Sequence, residues 1–174
     1  KNPIIVNDFG EKKFKKILSD LYYLDGLNKL KNNKKAAEIA FSKSVEHFSG
    51  NILSVLNFVK LLKGITARSK SIKLLKNAFF ISPNEKLLNE FIKINKLRTA
   101  GEKVSSAINL LKNEEISEKN ICEVKIQIAK FCVKQKIWGE AKRILSDIDS
   151  KNLTCIAYEL LADIANAQEK PNEV

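Results

Sequence analysis

The sequence predicts an all-α fold in which helical hairpins stack into a right-handed α-solenoid, and three observations carry that expectation. Ala37, Ser71, Ser105 and Ala141 follow one another at steps of 34, 34 and 36 residues, and four places after them come Phe41, Leu75, Asn109 and Leu145. Twelve places on stand Ser49, Pro83, Ser117 and Leu153, where one hairpin would hand over to the next. A stride near 34 residues is the length of a two-helix unit that cannot bury its apolar faces without a neighbour. Second, 6 glycines and 3 prolines in 174 residues are too few turn formers for the many hairpins of an all-β fold. Third, apolar residues recur at three and four, as in Ile126, Ala129, Val133 and in Ile156, Leu160, Ala167 with Leu161 and Ile164 beside them.

A period of this length makes the expected array tetratricopeptide-like. Residues 1–10, with Pro3 and Gly10, read as an irregular lead-in, 11–167 as the repeat domain and 168–174 as a polar tail. The first helix pair is expected over 11–31 and 34–48, parted by the polar Asn32 and Asn33. Ser49, Gly50 and Asn51 form the next break. The second pair spans 52–63 and 67–81, with Gly64 ending its first helix, and Ser82 with Pro83 marking the start of the next. Val55, Phe58, Val59 and Leu62 form one apolar stripe of this unit, faced by Ser71, Leu75 and Ala78, whose small members let the backbones approach.

The third pair, 84–97 and 102–111, departs from the pattern, because Lys93 stands where a small residue is wanted. Its apolar faces are Leu87, Leu88, Phe91 and Ile92 on one helix and Val104, Ala107, Ile108 and Leu111 on the other. In the fourth pair Ser117 is the expected cap of 118–134, and 137–148 follows with Trp138, Ala141 and Leu145. A last helix over 153–167 ends before Pro171.

A net charge of +11 and a pI near 9.5 invite a nucleic-acid reading. All but three of the 31 basic residues are lysine, however, and phosphate and base recognition leans on the guanidinium fork, here confined to Arg68, Arg98 and Arg143. Abundant Lys, Asn and Ile read instead as the codon usage of an AT-rich genome, and nucleic acid is the alternative partner. Lys12, Lys13, Lys15 and Lys16 beside Phe14, Ile17 and Leu18 form a basic amphipathic start, of a kind that suits either a solvated first helix or anionic headgroups. No apolar run reaches the roughly 18 residues of a membrane span. The three cysteines, Cys122, Cys132 and Cys155, are expected as reduced core thiols.

Catalytic chemistry finds little to work with. His47 is the one histidine, expected at a helix C-terminus, and neither a nucleophile motif nor a glycine-rich phosphate loop occurs. Cys122 and Cys132 are ten apart, outside zinc spacing. Glu114–Glu115 and Asp147–Asp149 fall in turns, where solvated charge is the default. The expectation is a protein without enzymatic activity, metal or cofactor; haem held by a cysteine or His47 ranks last among the readings.

The run IWGEAKRIL at 137–145, followed by LTCIAYELLADI at 153–164, resembles the tetratricopeptide region of bacterial HemY-type proteins, where a W-x-E-A-R-x-x-L helix precedes a C-x-x-x-A-E helix. LLKNAF at 74–79 with Ser82–Pro83 looks like that family's helix before an H-P-x-L turn, with Ser82 in the place of the histidine. YYLDGL at 22–27, leading to Ala36 and Ala37, looks like its first repeat. The resemblance implies a non-catalytic scaffold associated with protohaem biosynthesis. It would be anchored in the bacterial inner membrane by helices before Lys1, with its repeats facing the cytoplasm and its partners among haem-pathway enzymes. In arrays of this kind the first helix of each hairpin lines the concave wall, so Asn57, Lys60, Asn89, Lys93, Lys96, Lys125 and Lys130 are the candidate partner-binding residues, and lysine there predicts an acidic protein or peptide. Trp138, Ala141 and Leu145 are expected as structural anchors between hairpins.

Overall fold

Helix α1, Glu11–Leu30, and helix α2, Lys34–His47, form the first hairpin of the computed structural model, which describes residues 10–112 and 116–169. The lead-in through Phe9, the Glu114–Glu115 pair and Pro171 lie outside the described residues. Helices α3, Ile52–Leu61, and α4, Ala67–Ile81, follow, then α5, Glu85–Ile94, α6, Ala100–Ile108, α7, Glu118–Lys134, α8, Trp138–Ser146, and α9, Cys155–Glu169. Short 3-10 turns occupy Asn109–Lys112 and Ser150–Asn152, and the described residues contain no strand. The chain is all-helical and divides between Ser82 and Pro83 into two compact units.

Asparagine and threonine set most of the helix starts. Asn33, Asn51 and Asn84 accept hydrogen bonds from the backbone N–H groups of Ala36, Ser54 and Lys86 at 2.9–3.1 Å, each such cap contributing about 1 kcal/mol. Asn84, rather than Ser82 and Pro83, is therefore the start signal of α5. Helix α6 begins at Ala100, earlier than the expected 102, because Thr99 and Glu102 form a reciprocal capping box. Glu102 Oε2 accepts from the backbone of Arg98 and Thr99, and those two amides hold its carboxyl below the ordinary range. Ser117 sits at the N-cap of α7 but makes no side-chain cap bond. Helix α3 stops at Leu61, two residues short of expectation, and Gly64 takes the left-handed φ of 97° in the loop beyond.

In the first unit the repeat register places Ala37, Phe41, Ser71 and Leu75 in the core, alongside Val55, Phe58, Val59, Ala78, Phe79 and Phe80. The α1–α2 contact is close because α1 buries only Ser19 and Gly26. A Cβ on Gly26 would lie 2.5 Å from Phe41 Cε1, well inside contact distance, so the fully buried Phe41 ring occupies the space a side chain would need.

In the second unit Ala141 and Leu145 are buried as the register requires, but Ser105 and Asn109 are exposed. Helix α6 instead buries Val104 and Ala107, with Leu110 following in the 3-10 turn, so its inward face is displaced by one residue from the 34-residue register. Leu87, Leu88, Phe91 and Ile92 of α5 are all buried, as are Val124, Ile126, Ile128, Ala129, Phe131 and Cys132 of α7. Helix α9 contributes Ala157, Leu160 and Ile164, while Ile156 is exposed.

The cysteines divide. Burial, with Glu140 nearby, pushes the Cys132 thiol up to about 12, whereas Cys122 is half-buried and Cys155 is exposed at the first turn of α9. All three are free thiols; only Cys132 is a core residue.

Candidate interaction surfaces

The candidate binding residues separate by what their side chains already do. Lys125 Nζ donates to the carbonyl of Asp147 at 2.8 Å and to its carboxylate, which that bond holds below the usual range. Asp147 is thus an ion-pair partner as well as an exposed turn charge. Lys130 Nζ lies 3.4 Å from Glu85 Oε2, and Lys134 bonds the other oxygen of the same carboxylate. The hydrogen bond from Lys134 is the largest cause of a lowered Glu85 pKa, reinforced by the charge of Lys134 and by Lys130. Asn57 Nδ2 donates back to the Leu53 carbonyl at 2.9 Å and is half-buried. These three candidates are spent on intramolecular partners.

Lys60 is differently placed. With Leu61 at the end of α3, Lys63 in the loop beyond it, and Lys34, Lys35 and Glu38 on the first turns of α2, it lines a cleft of about 320 Å³. Four ammonium groups thus share one carboxylate, and none of the four forms an ion pair among the described residues. The positive end of the α2 dipole adds to the same potential. Lys34, Lys35 and Lys63 are not among the candidates expected from the sequence. They emerge only when the start of one helix is brought beside the end of the next.

Asn89 and Lys93 meet in the second unit, in an open cleft of about 390 Å³ completed by Ile92, Leu97, Lys103, Phe131 and Gln135. Lys93 Nζ is 3.8 Å from Glu90. Lys96 is exposed and carries a φ of 56°, closing α5 in the left-handed conformation that usually calls for glycine or asparagine. Of the expected anchors, Ala141 and Leu145 are buried and Trp138, the first residue of α8, is half-buried.

His47 is the last residue of α2, its ring stacked on Tyr22 at 5.3 Å and 6°. Lys43 Nζ lies 5.5 Å from the same Tyr22 ring. No group of three or more His, Cys, Asp or Glu residues with metal-binding geometry occurs among the described residues, and no described helix is long and apolar enough to cross a membrane.

A buried polar cluster joins α1, α2 and α3. Ser44 Oγ donates to the Ser19 carbonyl at 2.6 Å and lies 2.9 Å from Ser19 Oγ and 2.6 Å from Ser54 Oγ. Asn51 Nδ2 donates to Ser19 Oγ and to Asp20 Oδ1, each at 3.0 Å. With Ser44 donating to the carbonyl, its oxygen can accept from both other hydroxyls, and every partner is satisfied. Among the described residues no buried side-chain polar atom lacks a hydrogen bond. The cluster is structural.

Comparison with known proteins gives no further guide: no family model matches the chain, and no curated protein or solved structure matches it.

Proposed function

We propose that this chain is a non-catalytic protein-interaction domain whose partner presents an acidic segment to the α2–α3 cleft of the first unit. The observation that carries the reading is the set of four lysines around Glu38 and Leu61, unneutralised by the protein itself. A short acidic peptide would supply the missing carboxylates and an apolar contact for Leu61, and clustered like charges favour rapid, steered association. The finer proposal is a tetratricopeptide-like array, supported by the burial of Ala37, Ser71 and Ala141 with Phe41, Leu75 and Leu145 at the repeat stride. The HemY-type resemblance around Trp138 extends this to a scaffold tethered at the bacterial inner membrane on its cytoplasmic side, with a protohaem-pathway enzyme as partner.

Titration of a fluorescent glutamate-rich peptide by polarisation tests the cleft. The parent should bind it and ignore a neutral peptide of equal length. Replacing Lys34→Glu and Lys60→Glu together should weaken binding roughly tenfold or more, each reversal removing one attraction and adding one repulsion. Unchanged affinity in that variant overturns the reading. Tighter binding of random RNA, falling steeply between low and moderate salt, would favour the nucleic-acid alternative.

A further inference from the structure

Helix α1 carries large side chains on two faces, for Tyr22 stacks on His47 and Tyr23 lies against Phe41 on its inward side. Its buried residues are Ser19 and Gly26, whereas Ile17, Leu21, Leu24 and Leu27 are 38, 57, 54 and 36% exposed. At 3.6 residues per turn the four apolar side chains fall within about 120° of one another, opposite Ser19 and Gly26, and run about 15 Å along the axis. They lie along one face, which also carries the exposed Asp20 and Asn28, and are grouped unlike the scattered single apolar residues of an ordinary surface.

The charges around the stripe say what suits it. Lys13 stands four residues before Ile17 and Lys31 four after Leu27, so a cation continues the line at each end, while Lys16 Nζ lies 5.0 Å from the Phe48 ring. Asp20 stands on the same arc between Ile17 and Leu24, exposed, and its Oδ1 accepts from Asn51 Nδ2 at 3.0 Å. We propose that α1 is a membrane-surface helix, its Ile17–Leu27 stripe bedding into the headgroup region of an anionic bilayer while the lysines reach lipid phosphates.

Two points favour lipid over other occupants. The helix carries Glu11, Asp20 and Asp25 besides its lysines and does not qualify as a membrane span, so it would lie on the bilayer and not cross it. A second copy docked through the same face would set lysine-rich helices against each other, whereas anionic headgroups neutralise them. A stripe this short holds only with such charge assistance, so binding should be reversible and selective for acidic lipid.

The test is flotation of the intact chain with vesicles of phosphatidylcholine alone or mixed with phosphatidylglycerol. The parent should float with the mixed vesicles only, and less so as salt rises. Leu21→Ser with Leu24→Ser should lower partitioning at least about tenfold by removing the most exposed apolar area. Ile17→Ser alone gives a smaller loss, and circular dichroism checks that both variants keep the parent's helix content. Lys34→Glu with Lys60→Glu, in the α2–α3 cleft, should float like the parent, which separates this proposal from the peptide reading. Mixed-vesicle binding that survives the double leucine replacement overturns the proposal, as does no vesicle binding at all. Concentration-dependent dimerisation abolished by the leucine variant, without flotation, would assign the stripe to a second copy and equally overturn it.

Discussion

Both units bury apolar side chains, but only the first adds polar groups to its interior. Every buried polar residue among those described, Ser19, Ser44, Ser54 and Ser71, belongs to the first unit. The second fills its interior with Leu87, Leu88, Ile126, Ile128, Ile144 and Ile164 and keeps its polar contacts at the surface, in the Glu85 and Asp147 ion pairs. Close approach of helices, bought with serine and glycine, leaves hydroxyls inside that must be joined to one another. An interior filled by branched apolar side chains leaves nothing polar to satisfy.

That contrast predicts where each unit is fragile. The largest effect should come from Phe41→Ala, costing about 4 kcal/mol by emptying the centre of the first unit. Gly26→Ala alone should cost about 2 kcal/mol, because its Cβ meets the Phe41 ring. In the Phe41→Ala background the same change should cost nothing further, and a denaturation cycle that finds simple additivity would refute the close-contact argument.

Next comes Ser44→Ala, expected to lose about 2 kcal/mol through the unpaired hydroxyls of Ser19 and Ser54. A loss no larger than that of an exposed serine would mean the cluster contributes little.

On the second unit, Glu85→Gln should cost under about 1 kcal/mol, since its carboxylate and both lysines are substantially exposed. The sign with pH follows from the lowered Glu85 pKa: the native state favours the ionised form. Its contribution is therefore complete above the ordinary value of 4.5 and disappears as pH falls through the lower native value. Parent and variant should converge in acid and in high salt. Smallest, and opposite in sign to Gly26→Ala, is Gly101→Ala in α6. A Cβ there meets nothing within 4 Å, so a gain of about 0.5 kcal/mol is expected from helix propensity alone.

Much of the fold was readable because it rests on local rules. Low Gly and Pro content, apolar spacing and polar breaks located the helices, and the ends that moved did so through side-chain bonds: Asn84 capping α5 and the Thr99–Glu102 box drawing α6 back to Ala100. The repeat stride found Ala37, Ser71 and Ala141 but misled at Ser105, where α6 turns Val104 and Ala107 inward instead. A one-residue shift of face is decided by neighbouring helices and leaves no trace in period alone. Cys155, expected inside, stands at an exposed helix start. The surfaces were less legible because they depend on pairings distant in sequence. Lys125 meets Asp147 from 22 residues away and Lys134 meets Glu85 from 49, so two attractive cationic positions, Lys125 and Lys130, were already engaged. The hydrogen-bonded serines Ser19, Ser44 and Ser54 carry no signal in the repeat stride, which marks only Ser71 among the buried serines.

The closed circuit of Ser19, Ser44 and Ser54 has one spectroscopic corollary. Each of the three residues is wholly shielded from solvent and each hydroxyl proton has an acceptor. Such protons trade slowly with water, so the first unit should display sharp serine hydroxyl resonances, signals that exposed serines lose to fast exchange. Their disappearance would time the parting of α1 from α2.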